Sequence, residues 1–416
     1  MKKWEPIINE RELVICAKDR IKNIYQSIKE NILDEKSVFD KENVSFYSGM
    51  QGICMFLYYY ALAFDRNDKL WKKTYYDINE KVSNLTLDNK LFFVYNMNFI
   101  LFSFFLNKNT AIKVDDSGFF VENDDILEQL MFSFIEDKNY DLVYGATQIA
   151  TYFLWQYPNN NNLYKAYLDK YLVLLYEHAD KIDWDKLAWR YQLISDEKVE
   201  MYNLGLAHGI PVLIMFFAKL KKHKISHPLL DILLNKSINY ILSTEQDIKT
   251  FGSHFCMNIP VDTKINEFSR IGWCYGDLGI GYALLHAAEY VDKPQILKAK
   301  SYEILHDALI RKDEKETMIK DCCLCHGTSG IAIMYDMLYK KTKNEKFKEI
   351  AYYWYKKTIM EPYEYEYDGG YKIHAGTSSS YISDISFLSG ISGIGLSLMA
   401  SIYPIYPDWV EFLLLK

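Results

Sequence analysis

The chain has 416 residues, of which half are hydrophobic and a quarter charged; this suits a sizeable globular core and excludes a disordered or collagen-like chain. Its formal charge of -7 comes from 48 basic and 55 acidic side chains spread along the sequence. No basic stripe is present to neutralise a phosphate backbone, so nucleic acid is not an expected partner.

At the N-terminus, Met1-Lys2-Lys3-Trp4-Glu5-Pro6 runs into Asn9-Glu10-Arg11-Glu12 without an apolar stretch. A secretory signal is therefore not expected, and the chain is expected in the cytosol. The most apolar window, 91–106, is interrupted by Asn96, Asn98 and Ser103 and falls short of the roughly 20 residues a membrane span needs. It reads as a buried helix. Seven cysteines, an odd number, in a chain without an export signal argue for reduced thiols rather than a disulfide framework.

One pattern recurs along the chain. A glycine turn followed by an apolar run appears as Ser48-Gly49-Met50, Tyr144-Gly145-Ala146, His208-Gly209-Ile210, Tyr275-Gly276-Asp277, His326-Gly327-Thr328 and Ser389-Gly390-Ile391. The glycines are spaced by 96, 64, 67, 51 and 63 residues; all but the first gap suit two helices with their connections. Runs such as Ile210 to Leu220 and Ile280 to Ala288 are too long for typical strands and predict inner helices. Segments such as Lys165 to Ala179 and Lys298 to Arg311 carry charge on one face and predict outer helices. An inner helical ring wrapped by an outer one follows, an all-α architecture best closed as an α/α toroid over residues 1–416; an open solenoid would need polar end caps.

The wide first gap implies an insertion. Residues 107–125, with an Asp116-Ser117-Gly118 turn between short β-branched and aromatic runs, predict a small β-containing segment there, or else a surface loop.

Cys274 precedes the fourth glycine, and Cys325 with His326 precedes the fifth. Two thiols and an imidazole at equivalent places in consecutive repeats fit a zinc site with three protein ligands and one open position, the mark of a catalytic metal. Cys322 or Cys323 would close the site as a fourth ligand, or else both are core thiols on the segment leading in; the second is preferred because Cys325 is the thiol in register with Cys274. His208 holds in the third repeat the place of His326 in the fifth, where its near-neutral pKa suits proton transfer. Asp141 and Arg270 lie just ahead of their own turns.

Gly272-Trp273-Cys274-Tyr275-Gly276, Cys325-His326-Gly327 and Gly205-Leu206-Ala207-His208-Gly209-Ile210-Pro211 together resemble the three most specific motifs of the lanthionine cyclases, the LanC-like family, in that family's order. The resemblance runs from the first glycine turn to the sixth. It implies an α/α toroid, one Zn2+ per chain held by Cys274, Cys325 and His326, and catalysis by Asp141, His208, Arg270 and Tyr275. Gln148 and Val212 depart from the pattern by replacing the second glycine of their repeats. The insertion resembles the extra small segment of the stand-alone bacterial members, the nisin cyclase type, and is expected to contact the precursor peptide; a fused bifunctional synthetase is not expected.

The implied reaction is addition of a peptide cysteine thiol to a dehydroalanine or dehydrobutyrine of the same chain, forming a (methyl)lanthionine ring. The implied partners are a dehydrated precursor peptide of leader plus core, a dehydratase and a peptide exporter, which would hold the protein at the inner face of the membrane. Two alternatives stay open: a member that adds glutathione or another thiol to dehydrated residues, and a non-catalytic scaffold pinned by zinc.

Overall fold

The computed structural model describes residues 4–83, 98, 99, 101–103, 105, 106, 124–192, 200–263, 265–376 and 380–416. All six glycine turns open a helix as expected: Met50–Ala63, Ala146–Gln156, Ile210–Lys222, Asp277–Ala287, Thr328–Thr342 and Ile391–Ile402, each with its glycine as the residue before the first helical turn. Ile391–Ile402 is buried at every position, as a helix apolar all round must be. The helices that alternate with these bury only a stripe. In Glu345–Ile359 the buried residues are Phe347, Ile350, Ala351, Trp354, Tyr355, Thr358 and Ile359, the three-and-four spacing of one helical face.

The chain divides into two compact units. In the unit Met1–Val114 with Ile319–Lys416, Ile391–Ile402 packs against Met50–Ala63, Thr328–Thr342 and the N-terminal helix Arg11–Leu33. Its turns are also joined through the backbone: Cys325 N–H donates to the Leu388 carbonyl and Leu388 N–H to that of Tyr47. In the unit Asp115–Met318, Asp277–Ala287 packs against Ile210–Lys222 and the outer helix Pro294–Ile310, while Ala146–Gln156 packs against Asn161–His178 and Ile210–Lys222. Leu142 N–H donates to the Ala207 carbonyl, joining the second and third turns.

Of the apolar window 91–106, the described residues are helical and buried. The expected β-containing insertion lies outside the described residues, except for Asp124 and Asp125, which open the helix Asp124–Glu136. Strands occur where the sequence reading placed none. Asp180–Asp183 pairs with Lys186–Ala188, and Ile373–His374 with Tyr381–Ile382. A three-stranded antiparallel sheet has Glu200–Asn203 between Arg190–Gln192 and Asn258–Pro260. Asn203, opposite Asn258, thus delivers the chain from a hydrogen-bonded strand into the third glycine turn. Among the described residues no helix is long and apolar enough to cross a membrane.

Candidate functional site

The turns that carry the predicted site residues share a brace. Six residues before each glycine stand Asn43, Asn139, Asn203, Arg270, Asp321 and Asp384. In five of the six repeats this side chain is Asn or Asp, and its Oδ1 accepts the backbone N–H two residues on: Ser45 at 3.1 Å, Asp141 at 3.3 Å, Gly205 at 2.8 Å, Cys323 at 3.0 Å and Ser386 at 2.7 Å. This is an Asx turn, in which a short polar side chain satisfies a backbone donor that the bend leaves unpaired. Each brace fixes the segment whose last two residues reach the N-terminus of an inner helix.

The fourth repeat departs from it. Arg270 cannot accept a hydrogen bond, and the turn is held from outside instead. Arg311 donates to the Ser269 carbonyl and lies 3.2 Å from the buried Asp277 carboxylate, while Ile271 N–H donates to the Thr317 carbonyl. Gly276 is the one turn glycine with positive φ, at 98°; a Cβ there would sit 1.7 Å from the Arg270 carbonyl, so only glycine fits. Arg270 is half-buried, and its Nε is buried without a hydrogen-bond partner. A buried guanidinium nitrogen without a partner is costly.

Within the unit Asp115–Met318 the four predicted catalytic residues all occupy such turns. Asp141 and His208 meet: Nδ1 of His208 lies 2.5 Å from Oδ2 of Asp141. The other carboxylate oxygen accepts Val143 N–H and Tyr144 N–H, so Asp141 is fixed from behind. Considered singly, Asp141 would read as an exposed surface charge and His208 as a satisfied helix-end residue, yet Asp141 is 9% exposed. Burial by itself would depress the His208 pKa, but the charge and hydrogen bond of Asp141, joined by the charge of Cys274, outweigh it and raise the imidazole above its ordinary value. With Nδ1 committed to the carboxylate, Nε2 is the nitrogen left to exchange a proton.

The Tyr275 and His208 rings have centroids 6.3 Å apart. Burial pushes the Tyr275 phenol up to about 12, against the opposing hydrogen bond from Asn203, so it is neutral at physiological pH. Gly205 makes this proximity possible: a Cβ there would lie 2.5 Å from the Cys274 carbonyl. Asn203 and Arg311 are the residues that sequence reasoning missed. The Asn/Asp recurrence at a fixed offset from each glycine was a readable signal for the first; nothing local marks the second.

In the other unit, Cys325 and His326 precede Gly327 in the same register as Cys274 and Tyr275 before Gly276. Cys274 is buried and Cys325 half-buried. Each lies two residues before the N-cap glycine of an inner helix. Two soft thiolates and an imidazole are a donor set that suits zinc. Cys322 is also buried, and burial pushes its thiol well up. Asp321, Cys323 and His326 offer ligand atoms within 4.8 Å of one another. The Asp321 carboxylate, however, already accepts N–H groups from Cys323 and His374, both at 3.0 Å.

Glycine-turned helical repeats carrying Cys, Cys-His and His-Asp at their mouths define a class. Residues 40–414 match the family described as lanthionine synthetase C-like protein, and the chain belongs to that family. Among solved structures, one titled nisin cyclase matches with a TM-score of 0.73 and 21% sequence identity, covering 95% of this chain and 97% of that one. At that identity the likeness concerns the fold, and it gives the α/α toroid class expected from the repeats. Among curated proteins nothing matches by sequence.

Proposed function

We propose that this protein is a zinc-dependent lanthipeptide cyclase, which joins cysteine thiols of a dehydrated precursor peptide to its own dehydroalanine and dehydrobutyrine residues. The observation that carries the reading is the Asp141–His208 pair, a buried carboxylate and a half-buried imidazole 2.5 Å apart on two turns, in a chain of this family. Cys274, Cys325 and His326 are the proposed ligands of the metal. Zinc bound there would supply acidification of a substrate thiol, whose ordinary pKa of about 8.5 makes it a weak nucleophile at neutral pH.

The chemistry left to the protein is proton and charge management. Sulfur forms a bond to the β-carbon as the C=C electrons move toward the carbonyl, and the α-carbon must then receive a proton. His208 delivers that proton from Nε2, with Asp141 holding the ring and favouring its charged form. The half-buried guanidinium of Arg270 stabilises the transient enolate charge, and the neutral phenol of Tyr275 donates to it as well. Segment 107–125 is assigned contact with the leader. The dehydratase and exporter partners belong to the same proposal, as does a cytoplasmic location held at the inner membrane face through them.

A zinc-pinned scaffold is the second reading, favoured by the Asp321, Cys323 and His326 grouping. The deciding experiment incubates the purified chain with a dehydrated precursor and counts free thiols by alkylation, since ring closure leaves peptide mass unchanged. Loss of thiols at constant mass is expected. A mass increase by one glutathione per site in its presence identifies the glutathione-adding alternative, and unaltered thiols with bound metal identify the scaffold.

A further inference from the structure

Asn203 makes two hydrogen bonds of different kinds. Its Oδ1 accepts Gly205 N–H at 2.8 Å, and its Nδ2 donates to the Tyr275 hydroxyl oxygen at 2.9 Å. The first bond fixes the orientation of the amide, because a backbone N–H can only donate and must meet the carbonyl end. The NH2 end therefore faces Tyr275, and the phenol oxygen is the acceptor. A hydroxyl that accepts on one side keeps its own hydrogen for another partner. Asn203 is 1% exposed and ends a strand paired on both sides, so this geometry is rigid.

We infer that Asn203 is a positioning residue that turns the Tyr275 O–H outward, making Tyr275 a dedicated hydrogen-bond donor to the developing enolate rather than a base. The inference rests on the cyclase reading and deepens it by assigning the direction of one proton. Comparison among the repeats separates this role from the brace. Asp321 and Asp384 perform the same Asx turn with a carboxylate at 3.0 and 2.7 Å, so an acid at position 203 can hold the turn. It cannot donate to Tyr275 as a carboxylate, and would instead capture the phenol hydrogen.

The test compares Asn203→Asp, Asn203→Ser, Tyr275→Phe and the double variant Asn203→Asp/Tyr275→Phe in thiol-consumption kinetics. The serine hydroxyl can still accept Gly205 N–H but is too short to replace the Nδ2 contact. Both Asn203 variants should keep their helical circular dichroism and lose about 10- to 100-fold in kcat with KM little changed, the effect of a misaimed group on the reacting atoms. In the Tyr275→Phe background, Asn203→Asp should cost less than about twofold, because no phenol oxygen remains to be aimed. An equal cost in both backgrounds, a kcat at the unsubstituted level, or failure of both single variants to fold would leave Asn203 as a turn brace only and overturn the inference. If the unsubstituted protein consumes no thiol, the cyclase reading fails. The Asn203 contact is then still decided by the fluorine resonance of 3-fluorotyrosine placed at position 275: Asn203→Asp should move it, and an unmoved resonance overturns the inference.

Discussion

His208 and Asp141 lie 67 residues apart in sequence, and neither is distinctive without the other. Together they make the proposed proton carrier: desolvation would lower the imidazole pKa, but the carboxylate's charge and hydrogen bond outweigh it and raise it. Because the folded-state pKa is raised above the ordinary 6.5, the pair's contribution to stability is complete below that value and fades as pH rises through the folded one. Cyclisation that needs the protonated ring should decline over the same window, and Asp141→Asn should move the decline to lower pH. His208→Ala should lower the rate about 100- to 10,000-fold while leaving bound metal and helical content intact. The Asp141→Asn/His208→Ala double variant should be little worse than His208→Ala alone, since the two work as a unit. Thiol counts against pH check both; near-normal thiol consumption by His208→Ala would make solvent the proton donor. Arg270 offers the opposite signature. Replacing it with Asn removes a half-buried guanidinium with an unpaired Nε, so the thermal midpoint should hold or rise while cyclisation falls about 100- to 1,000-fold. A lowered midpoint with activity retained would make Arg270 a structural residue.

At the level of elements, each inner helix depends on how its turn is tied. Five repeats tie it with an Asx side chain. The fourth uses the buried pair of Arg311 and Asp277, in which the carboxylate also accepts N–H from His254 and Phe255. Breaking one partner of such a pair leaves an uncompensated buried charge, at a cost of about 3–5 kcal/mol. Arg311→Met should therefore lower the unfolding midpoint sharply and, by releasing the Ser269 carbonyl, reduce cyclisation beyond what stability explains. The comparison to make is Asp384→Asn, which keeps the sixth brace and should change stability by less than about 1 kcal/mol. A milder effect for Arg311→Met than for that control would show that the fourth turn holds itself. The alternation of apolar inner helices with striped outer ones was legible because burial on all sides and burial on one side leave different periodicities. The strand pairs were not legible: they are two to four residues long, too short to show a period of two.

For the molecule as a whole, the proposed metal takes Cys274, Cys325 and His326 as its ligands. Elemental analysis should find about one zinc per chain, lost in Cys274→Ala and in His326→Ala and kept in Cys323→Ala. Zinc should raise the thermal midpoint of the unsubstituted chain in a concentration-dependent way, because it binds the folded state, and should do little for those two variants. Metal retained in Cys325→Ala but lost in Cys323→Ala would move the ligand to Cys323 and favour the scaffold reading.

The sequence by itself determined the repeat register, the helical class and the residue types at each turn, because a glycine, its offset and the apolar run after it are all local. The same locality put Cys274, Cys325-His326, His208 and Tyr275 at equivalent places before anything was known of their surroundings. Only the tertiary structure decided that Asp141 reaches His208, that Arg311 replaces the missing brace beside Arg270, and that Asn203 aims at the Tyr275 oxygen 72 residues away. Those pairings are set by how helices and strand ends distant in sequence pack against one another. A hydrogen bond formed that way leaves no periodic trace in the chain that makes it.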